Sequence, residues 1–452
     1  MKIISIFALS VLLYFAAGSF SQSRSQLGPG RKYTSVQRMG LDHLRSVHNH
    51  RNNYQRNRKA VQLRTGLKDF RAILHAHAED SSHTGGTRTE MLKSAKAAGV
   101  HIIMLSDHRR PERDFINDSW RGIHNGVLFI PGAEADGFLL YPLSSIRGKN
   151  SKSQDELVSI VKEGGGNIFL SHVEEKLNWK TDNLDGLEIY NHHSDVKDEA
   201  EFSLWLRSAL SDLTKLRQLE QALALYPQEV FGAQQDYLVP IIKKWDVDLI
   251  KHRLTAVAAN DCHHNQVFII TAVDDKTIEI DLITSRPVKT RITSEQIAGV
   301  VEMVKERKPG EIIAKLDFDP YERSFRYVST HILAGKLAEQ EIRDALKSGH
   351  AYVAHDWLCD PTGFAFIASA RRSKTSSIMG DEVSIRGGLK LKAETPVSCM
   401  LKLLRNGEEV KRVDGRAIEL EVKETGVYRV EAWLEVDSEM RPWIYSNPIY
   451  VR

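Results

Sequence analysis

Cysteine is scarce in this sequence: Cys262, Cys359 and Cys399 are the only three among 452 residues. Three widely spaced thiols do not make a disulfide framework, although a Cys359–Cys399 bridge stays open. The spacing also excludes a closed structural zinc site built from thiolates. The fold must therefore be stabilised mainly by a hydrophobic core, which a hydrophobic content of 42% allows.

An excess of charge of one sign is also missing. The chain has 62 Lys and Arg against 59 Asp and Glu, a formal net charge of +3, so no nucleic-acid partner is expected. Beyond the N-terminal segment, no run reaches the roughly 18 unbroken apolar residues that a membrane-spanning helix needs. We therefore expect no transmembrane anchor.

The N-terminus has the pattern of a targeting segment. Lys2 supplies a positive charge, residues 3–17 are almost wholly apolar, and Ser19 and Ser21 occupy the −3 and −1 positions of a cleavage site. The pattern predicts a signal peptide over residues 1–21 and an exported protein, periplasmic or secreted. Residues 22–66 then form a basic arm, which we interpret as a tethering or poorly ordered segment.

The length suits two domains, because single cores rarely exceed about 250–300 residues. Over residues 67–310, short apolar runs alternate with helical patterns, including a helix over 88–98, which predicts an α/β domain of parallel strands joined by crossover helices. A closed or nearly closed barrel is expected. Over residues 311–452, short β-like runs and the Asn406-Gly407 turn signal predict a smaller, β-rich, sandwich-like domain.

Histidines and acids follow six predicted strands of the first domain in succession. The C-terminal ends of parallel barrel strands meet on one face, so we expect these side chains to share one pocket. A single histidine after a strand is more often a buried, hydrogen-bonded residue than a ligand, but six such strand ends are hard to explain by packing. The residues are His75, His77, His83, Asp107, His108, Glu134, His172, Asn191, His192, His193, Asp261 and His263.

Imidazole and carboxylate donors suit zinc, manganese or iron. His75 and His77 point the same way on an extended segment, because side chains alternate with period two. Eight or nine donors are too many for one ion, so we expect two or three divalent ions, with Glu134 as the natural bridge. Such ions lower the pKa of bound water, which predicts a hydrolase that uses a metal-bound hydroxide, with a phosphate ester as the best-suited substrate.

These segments resemble the motifs of the polymerase and histidinol phosphatase (PHP) superfamily. The matching stretches are Leu74-His75-Ala76-His77, Ser106-Asp107-His108, Gly132-Ala133-Glu134, Ser171-His172 and Asn260-Asp261-Cys262-His263. The resemblance covers about residues 67–266. It implies a distorted (β/α)7 barrel with a trinuclear metal centre, followed by the β-rich extension seen in some exported members.

The resemblance also implies how the donors are shared among three ions. The first ion would be bound by His75, His77, Glu134 and Asp261. The second would share Glu134 and add His172 and His193, with His192 left open as the alternative. The third would be bound by His83, His108 and His263.

Further roles are expected for residues around these ligands. Asp261, Glu134 and His263 are the expected catalytic residues, Asp107 and Asn191 are expected to orient ligands, and Cys262 is expected to be inert. Arg109 and Arg110 follow His108 directly and are candidates for binding the substrate phosphate, since guanidinium groups bind phosphate oxygens in pairs.

The expected function is that of an exported phosphoesterase acting on a phosphate mono- or diester, either a small molecule or glycan-linked. One alternative keeps the ions but cleaves an amide or another ester. A second alternative is a glycan- or surface-binding protein that uses the C-terminal domain. Exposed aromatics such as Trp357 and Trp443 could line a sugar platform there, but core packing is the better interpretation.

Overall fold

The structure is a computed structural model that describes residues 28–79, 83–149, 153–197, 199–283, 288–370 and 376–452. The predicted signal peptide lies outside these residues. Within them, no helix combines the length and apolar character needed to cross a membrane.

The helices lie in the N-terminal segment and between the strands. The α-helices are α1 (Ser35–Arg38), α2 (Leu41–Arg56), α3 (Arg88–Ala98), α4 (Gln154–Glu163), α5 (His192–Lys197), α6 (Ala200–Ala209), α7 (Leu213–Leu225), α8 (Pro227–Phe231), α9 (Val239–Lys251), α10 (Val300–Val304), α11 (Tyr321–Phe325) and α12 (Glu339–Ser348). Two 3₁₀ helices cover Val173–Glu175 and Gly232–Gln234.

The strands occur along the whole chain from residue 68 onward. They are β1 (Lys68–Ile73), β2 (Ile102–Met104), β3 (Gly122–His124), β4 (Val127–Ile130), β5 (Ala133–Ala135), β6 (Phe138–Tyr141), β7 (Asn167–Leu170), β8 (Gly186–Asn191), β9 (Thr255–Ala259), β10 (Val267–Ala272), β11 (Thr277–Ile283), β12 (Val288–Thr293), β13 (Ile312–Asp317), β14 (Ser329–Ala334), β15 (Ala351–Ala354), β16 (Ala365–Ala370), β17 (Ser376–Ile378), β18 (Glu382–Val383), β19 (Leu389–Arg405), β20 (Glu408–Val422), β21 (Gly426–Val436), β22 (Glu439–Ser446) and β23 (Ile449–Val451).

The strands form three sheets, and the mixed α/β class is as the sequence predicts. A 14-stranded sheet contains the path β17-β16-β19-β21-β22-β15-β14-β1-β2-β4-β3, a five-stranded sheet has the order β5-β6-β7-β8-β9, and a four-stranded sheet has the order β12-β11-β10-β13. The expected parallel pairing holds for β1, β2 and β4 and for β7, β8 and β9. The short, fully buried and largely apolar runs of β4, β7 and β9 are typical of parallel strands covered on both faces.

The expected closed barrel is not found among the described residues. The strands of the predicted barrel are divided between two sheets, because the antiparallel hairpin β5–β6 follows β4 and starts the second sheet. β1 pairs with β2 along one edge. Along its other edge it pairs antiparallel with β14, which is not a strand of the predicted barrel. The distorted (β/α)7 barrel is therefore not what the structure shows.

The two sheets meet just beyond the ends of their parallel strands. Isolated parallel bridges join Ala76 to Cys262 and His108 to Glu134. The backbone N–H of Glu134 donates to the backbone oxygen of Ser106 at 3.0 Å, and that of Asp261 donates to the backbone oxygen of His75 at 3.0 Å. Backbone hydrogen bonds thus bring four separate chain segments together at one place.

Residues 28–66 differ from the poorly ordered alternative for the basic arm. They include α1 and α2, and two of their arginines pair with acids from distant parts of the chain. Arg31 pairs with Glu199 at 2.7 Å, and Arg38 pairs with Glu439 at 3.0 Å, with both partners of the second pair almost completely buried. These pairs attach the segment to the rest of the fold.

The C-terminal strands continue the sheet that contains β1. Residues Lys68–Ala72 of β1 pair with Thr330–Ala334 of β14, and β14 pairs with β15, which pairs with β22. The division at residue 310 therefore stays a prediction, with one sheet running across it. The expected hairpin turn is present between β19 and β20, where Asn406 and Gly407 have φ values of 52° and 85°.

The aromatic and cysteine side chains of this region lie in the interior. Trp357 and Trp443 are at most 2% exposed, so they pack in the core and cannot form a sugar platform. Cys359 and Cys399 are buried without a disulfide between them, as is Cys262. The bridge that the sequence left open is not formed.

Candidate metal centre

Five histidines direct their Nε2 atoms at two carboxylates. The carboxylates are Glu134, on β5, and Asp261, just after β9, and both line a cavity of about 450 Å³. The histidines follow four strands, β1, β2, β7 and β9, and are His75, His77, His108, His172 and His263. The structure thus collects donors that are up to 188 positions apart in the sequence, from His75 to His263.

Glu134 uses its two oxygens on different histidines. Its Oε1 lies 2.9 Å from Nε2 of His172. Its Oε2 lies 3.5 Å from Nε2 of both His75 and His108 and 3.7 Å from that of His77. A carboxylate with histidines on both oxygens is arranged to bridge two ions.

Asp261 has a similar arrangement. Its Oδ1 lies 3.3 Å from Nε2 of His75 and of His263 and 3.5 Å from that of His77, and its Oδ2 lies 3.5 Å from Nε2 of His172. The backbone of Asp261 has a φ of 48°, in the left-handed region, which aspartate tolerates better than most residues. The turn after β9 thus points this carboxylate back into the donor cluster.

These separations match the distances between ligands of a common ion. Two donors that each lie about 2.1 Å from one zinc ion at a tetrahedral angle are about 3.4 Å apart. Most of the nitrogen–oxygen distances above are 3.3–3.7 Å, longer than a good hydrogen bond. Three overlapping groups fit a metal ion: His75–Glu134–His172, His75–His77–Asp261 and His77–His108–Glu134.

His75 gives the clearest sign of a site built for a cation. Its ring is fully buried, and its Nε2 makes no hydrogen bond within the described residues. Its nearest acceptors, on Asp261 and Glu134, lie at 3.3 and 3.5 Å, longer than a good hydrogen bond, so this buried nitrogen is poorly satisfied by the protein alone. An ion between Glu134 and Asp261 would satisfy this nitrogen.

His83 lies at the edge of the same cluster. Its ring centroid is 4.9 Å from that of His108 and 4.7 Å from that of His263. Its backbone oxygen accepts a hydrogen bond from the side chain of Asn265 at 2.8 Å, which fixes the loop before α3. The three histidines assigned to a third ion are therefore neighbours in space.

The far nitrogens of three donor histidines each contact a group that fixes the ring. Nδ1 of His75 lies 2.6 Å from Oε1 of Glu188, Nδ1 of His263 lies 2.8 Å from Oγ1 of Thr84, and Nδ1 of His172 lies 3.2 Å from Oε1 of Glu174. Ligand histidines in metal sites commonly have such a partner, which fixes the tautomer and leaves Nε2 for the ion.

Sequence reasoning missed the three residues that contact these far nitrogens, which are Glu188, Thr84 and Glu174. Only Glu188 carried a visible signal, since it is an acid inside the otherwise apolar run Leu187-Glu188-Ile189-Tyr190 of a buried strand. An acid in such a place needs a specific partner, because burying an uncompensated carboxylate is costly.

The charges gathered in the donor cluster shift the pKa values of its members. Burial lowers the pKa of His75, but the charges of Asp261, Glu188 and Glu134 outweigh burial and raise it well above its usual value. Burial raises the pKa of Glu134 and of Asp261, yet the nearby histidines, His75 foremost, hold both well below the usual range. The two acids are therefore ionised and able to act as ligands.

Of the two histidines that follow β8, only His192 has a side chain within the described residues. The His192 ring is buried and stacks on Phe231, with a centroid distance of 4.3 Å, and meets Tyr327 edge-on at 4.9 Å. The side chain of His193 lies outside the described residues. Asn191, just before them, donates to Oε2 of Glu188 at 3.1 Å and lies 3.3 Å from Nδ1 of His172, beside two residues of the cluster.

Asp107 contacts the segment after His77. Its Oδ1 accepts the N–H of Ala78 at 3.1 Å, and its Oδ2 pairs with Arg88 and with Arg113. Cys262 has its Sγ 4.0 Å from the backbone oxygen of His75, and burial raises the pKa of this thiol, which keeps it protonated. A protonated thiol is a poor metal ligand.

The two arginines after His108 are less buried than His75 and His77, with Arg109 exposed and Arg110 half-buried. Arg109 lies 3.9 Å from Asp136, a residue of the cavity wall, and Arg110 donates to the backbone oxygen of Glu79 at 3.3 Å. Neither is among the described residues that line the cavity.

Comparisons with known proteins add a distant similarity. No family model and no curated protein matches the chain. The chain is similar to a solved two-domain protein from Bacteroides vulgatus, described as containing a predicted PHP-like metal-dependent phosphoesterase. The identity is 14%, the match covers 86% of this chain and 98% of the other, and the TM-score is 0.33.

Proposed function

We propose that this protein is an exported, metal-dependent phosphoesterase of the PHP type that hydrolyses a phosphate mono- or diester. The observation that supports this most strongly is the set of imidazole Nε2 atoms facing Glu134 and Asp261 at the separations of shared ligands. A purely structural cluster of charges would instead pair its members at hydrogen-bond distances.

The donors fit two or three divalent ions. His75, His77, Glu134 and Asp261 would hold the first ion, Glu134 and His172 would share the second with His193, and His83, His108 and His263 would hold the third. Ions there would supply Lewis acidity, which makes water a nucleophile at neutral pH and neutralises charge on a phosphoryl group.

The remaining side chains serve this site by orientation and by shape. Glu188, Thr84 and Glu174 hold three donor rings in place. The described residues that line the cavity include no serine, threonine or cysteine, which supports attack by water rather than by a hydroxyl or thiol of the protein. The exposed Arg109 lies near the cavity wall, where it can approach a substrate phosphate.

Phosphate release by the purified, metal-loaded protein tests this function, with Asp261→Asn as the decisive variant. Asparagine keeps the size and tolerates the positive φ, but it removes the charge that four histidines face, so turnover of a phosphate ester should fall at least about a thousandfold. Asp275→Asn, in the exposed turn between β10 and β11, is the matched control. Full activity of Asp261→Asn, or no hydrolysis of any mono- or diester by the wild type, would overturn the proposal.

Export is supported by the N-terminal pattern of Lys2, the apolar run and the two serines. Expression of the full chain in a bacterial host should yield a periplasmic protein whose N-terminal residue is Gln22. An intact Met1 on protein recovered from the cytoplasm would contradict export without affecting the metal centre.

A further inference from the structure

The cavity beside the donor cluster is much larger than a phosphate group. Its volume of about 450 Å³ lies in the range of small-molecule pockets, about 300–1,000 Å³. The donors form only part of the lining, so the rest of the cavity must receive the group to which the phosphate is attached. The residues that line this space therefore report the chemistry of that group.

One wall is the turn between β5 and β6 together with Glu175. Asp136 and Gly137 both have positive φ values, 54° and 90°, as in the tight turns that asparagine or aspartate forms with glycine. A Cβ on Gly137 would lie 2.7 Å from the Trp179 ring, so the turn is pressed against that indole and only glycine fits. The Asp136 carboxylate is thus presented on a rigid turn.

A second stretch of the lining consists of Asn265, Gln266 and Asp319. The buried Asp319 accepts the backbone N–H of Asn265 at 2.9 Å and that of Gln266 at 2.8 Å, which fixes this stretch of chain. The side chain of Gln266 is exposed at the cavity and makes no hydrogen bond within the described residues. Its amide is available to a ligand as both donor and acceptor.

The described lining is polar almost throughout. Apart from Ala135 and Gly137, every described lining residue carries a carboxylate, an amide or an imidazole. It has no phenyl, phenol or indole ring on which a nucleobase or aryl group could stack, and no apolar face for an acyl chain. Carboxylates and amides instead form hydrogen bonds with hydroxyl groups.

The described lining holds carboxylates and no lysine or arginine, and two cations lie just outside it. Arg109 lies 3.9 Å from Asp136, and the ammonium group of Lys176 lies near the same turn, 3.4 Å from the backbone oxygen of His172. Because these cations partly offset the charge of the carboxylates, a neutral group with several hydroxyls suits the lining.

We propose that the leaving group is polyhydroxylated, so that the substrate is the phosphate ester of a sugar or another polyol. This inference rests on the proposed phosphoesterase function and specifies its substrate class. Asp136 and Gln266 are the specificity-determining residues, each forming hydrogen bonds with ligand hydroxyls from its own wall.

Binding of non-hydrolysable phosphonates to the metal-loaded protein, measured by calorimetry, tests the inference independently of turnover. A sugar phosphonate should bind at least about tenfold more tightly than phenylphosphonate. Asp136→Asn and Gln266→Leu should each reduce that preference by about tenfold, the effect of one lost hydrogen bond of about 1.4 kcal/mol. Asparagine is chosen at position 136 because it tolerates the positive φ, and Asp275→Asn is the control that should leave the preference unchanged.

The outcomes separate the two proposals. Equal or tighter binding of phenylphosphonate would overturn the polyol assignment, and tightest binding of 2-aminoethylphosphonate would overturn it in favour of an ammonium-bearing group. A retained preference for the sugar phosphonate, combined with no hydrolysis of sugar phosphates, would support this binding site while overturning the proposed function.

Discussion

Glu188 shows how a single buried residue can position a metal ligand. It lies in the middle of a fully buried strand and contacts three groups of the site: Nδ1 of His75, the N–H of His172 and the amide of Asn191. Because each contact involves a residue of the donor cluster or its neighbour, the Glu188 carboxylate connects the orientations of two ligand histidines.

Replacing Glu188 by glutamine should weaken metal binding without unfolding the protein. The amide keeps the shape but removes the negative charge that makes His75 a stronger ligand, so affinity should fall about 10–100-fold. Competition with a zinc-chelating dye measures this affinity, and Glu163→Gln, at the exposed end of α4, is the control. Unchanged affinity in Glu188→Gln would show that the contact with His75 has no role in metal binding.

The donors were predictable from the sequence, whereas their partners were not. His75, His77, Glu134 and Asp261 follow apolar runs, so the strand pattern alone suggests that they share a face. Thr84 and Glu174 contact His263 and His172 only because loops from different strands come together, and nothing in their own neighbourhood marks them. The packing of His192 against Phe231 is likewise a tertiary contact that no local pattern reveals.

At the scale of elements, a buried charge cluster joins β1 to the C-terminal strands. His331 on β14 lies 2.7 Å from Asp69 on β1 and 2.9 Å from Asp356, which follows β15. Burial lowers the pKa of His331, but the two carboxylates outweigh burial and raise it to about 10. The histidine is therefore positively charged at neutral pH and bridges two acids across the sheet.

This cluster predicts a pH-dependent contribution to stability. The pKa of His331 is raised from about 6.5 in the unfolded chain to about 10 in the folded one. Its contribution is therefore complete below about pH 6.5 and is lost as the pH rises through 10. His331→Asn should destabilise the protein by about 3 kcal/mol at pH 6, because it leaves the buried Asp69 without its cation and Asp356 with Arg71 alone, and by clearly less at pH 9.5.

Urea unfolding of the wild type and His331→Asn at the two pH values measures this difference. His50→Asn, at an exposed position of α2, should change stability little at either pH. A destabilisation by His331→Asn that is the same at pH 6 and pH 9.5 would contradict the assigned charge.

Local signals predicted individual elements well and their assembly poorly. The helix over 88–98 is found with the same bounds, capped by Thr87 and ended by Gly99. The helical stretch over 199–225 is divided into two helices, α6 and α7, because Asp212 caps a new start by accepting the N–H of Lys215. The hairpin β5–β6 separates the two sheets. Its strands are only three and four residues long, too short for the sequence pattern to reveal them.

At the scale of the molecule, the expected two domains share a core as well as a sheet. One hydrophobic cluster contains Leu187 and Trp245 from the first region together with Leu401 and Trp443 from the second. Length and composition suggested a division but could not show that β1 would pair with β14, because pairing between distant strands depends on tertiary packing. The N-terminal helices also contact the C-terminal strands, through the buried Arg38–Glu439 pair.

The proposed function requires that remote histidines and acids form a centre that binds several cations. Elemental analysis of the purified protein, after incubation with zinc, manganese and iron and removal of unbound ions, measures this binding. The wild type should retain two or three equivalents of divalent metal, and Asp261→Asn should retain clearly less. A correctly folded wild type that retains no metal would show that these side chains form no such centre.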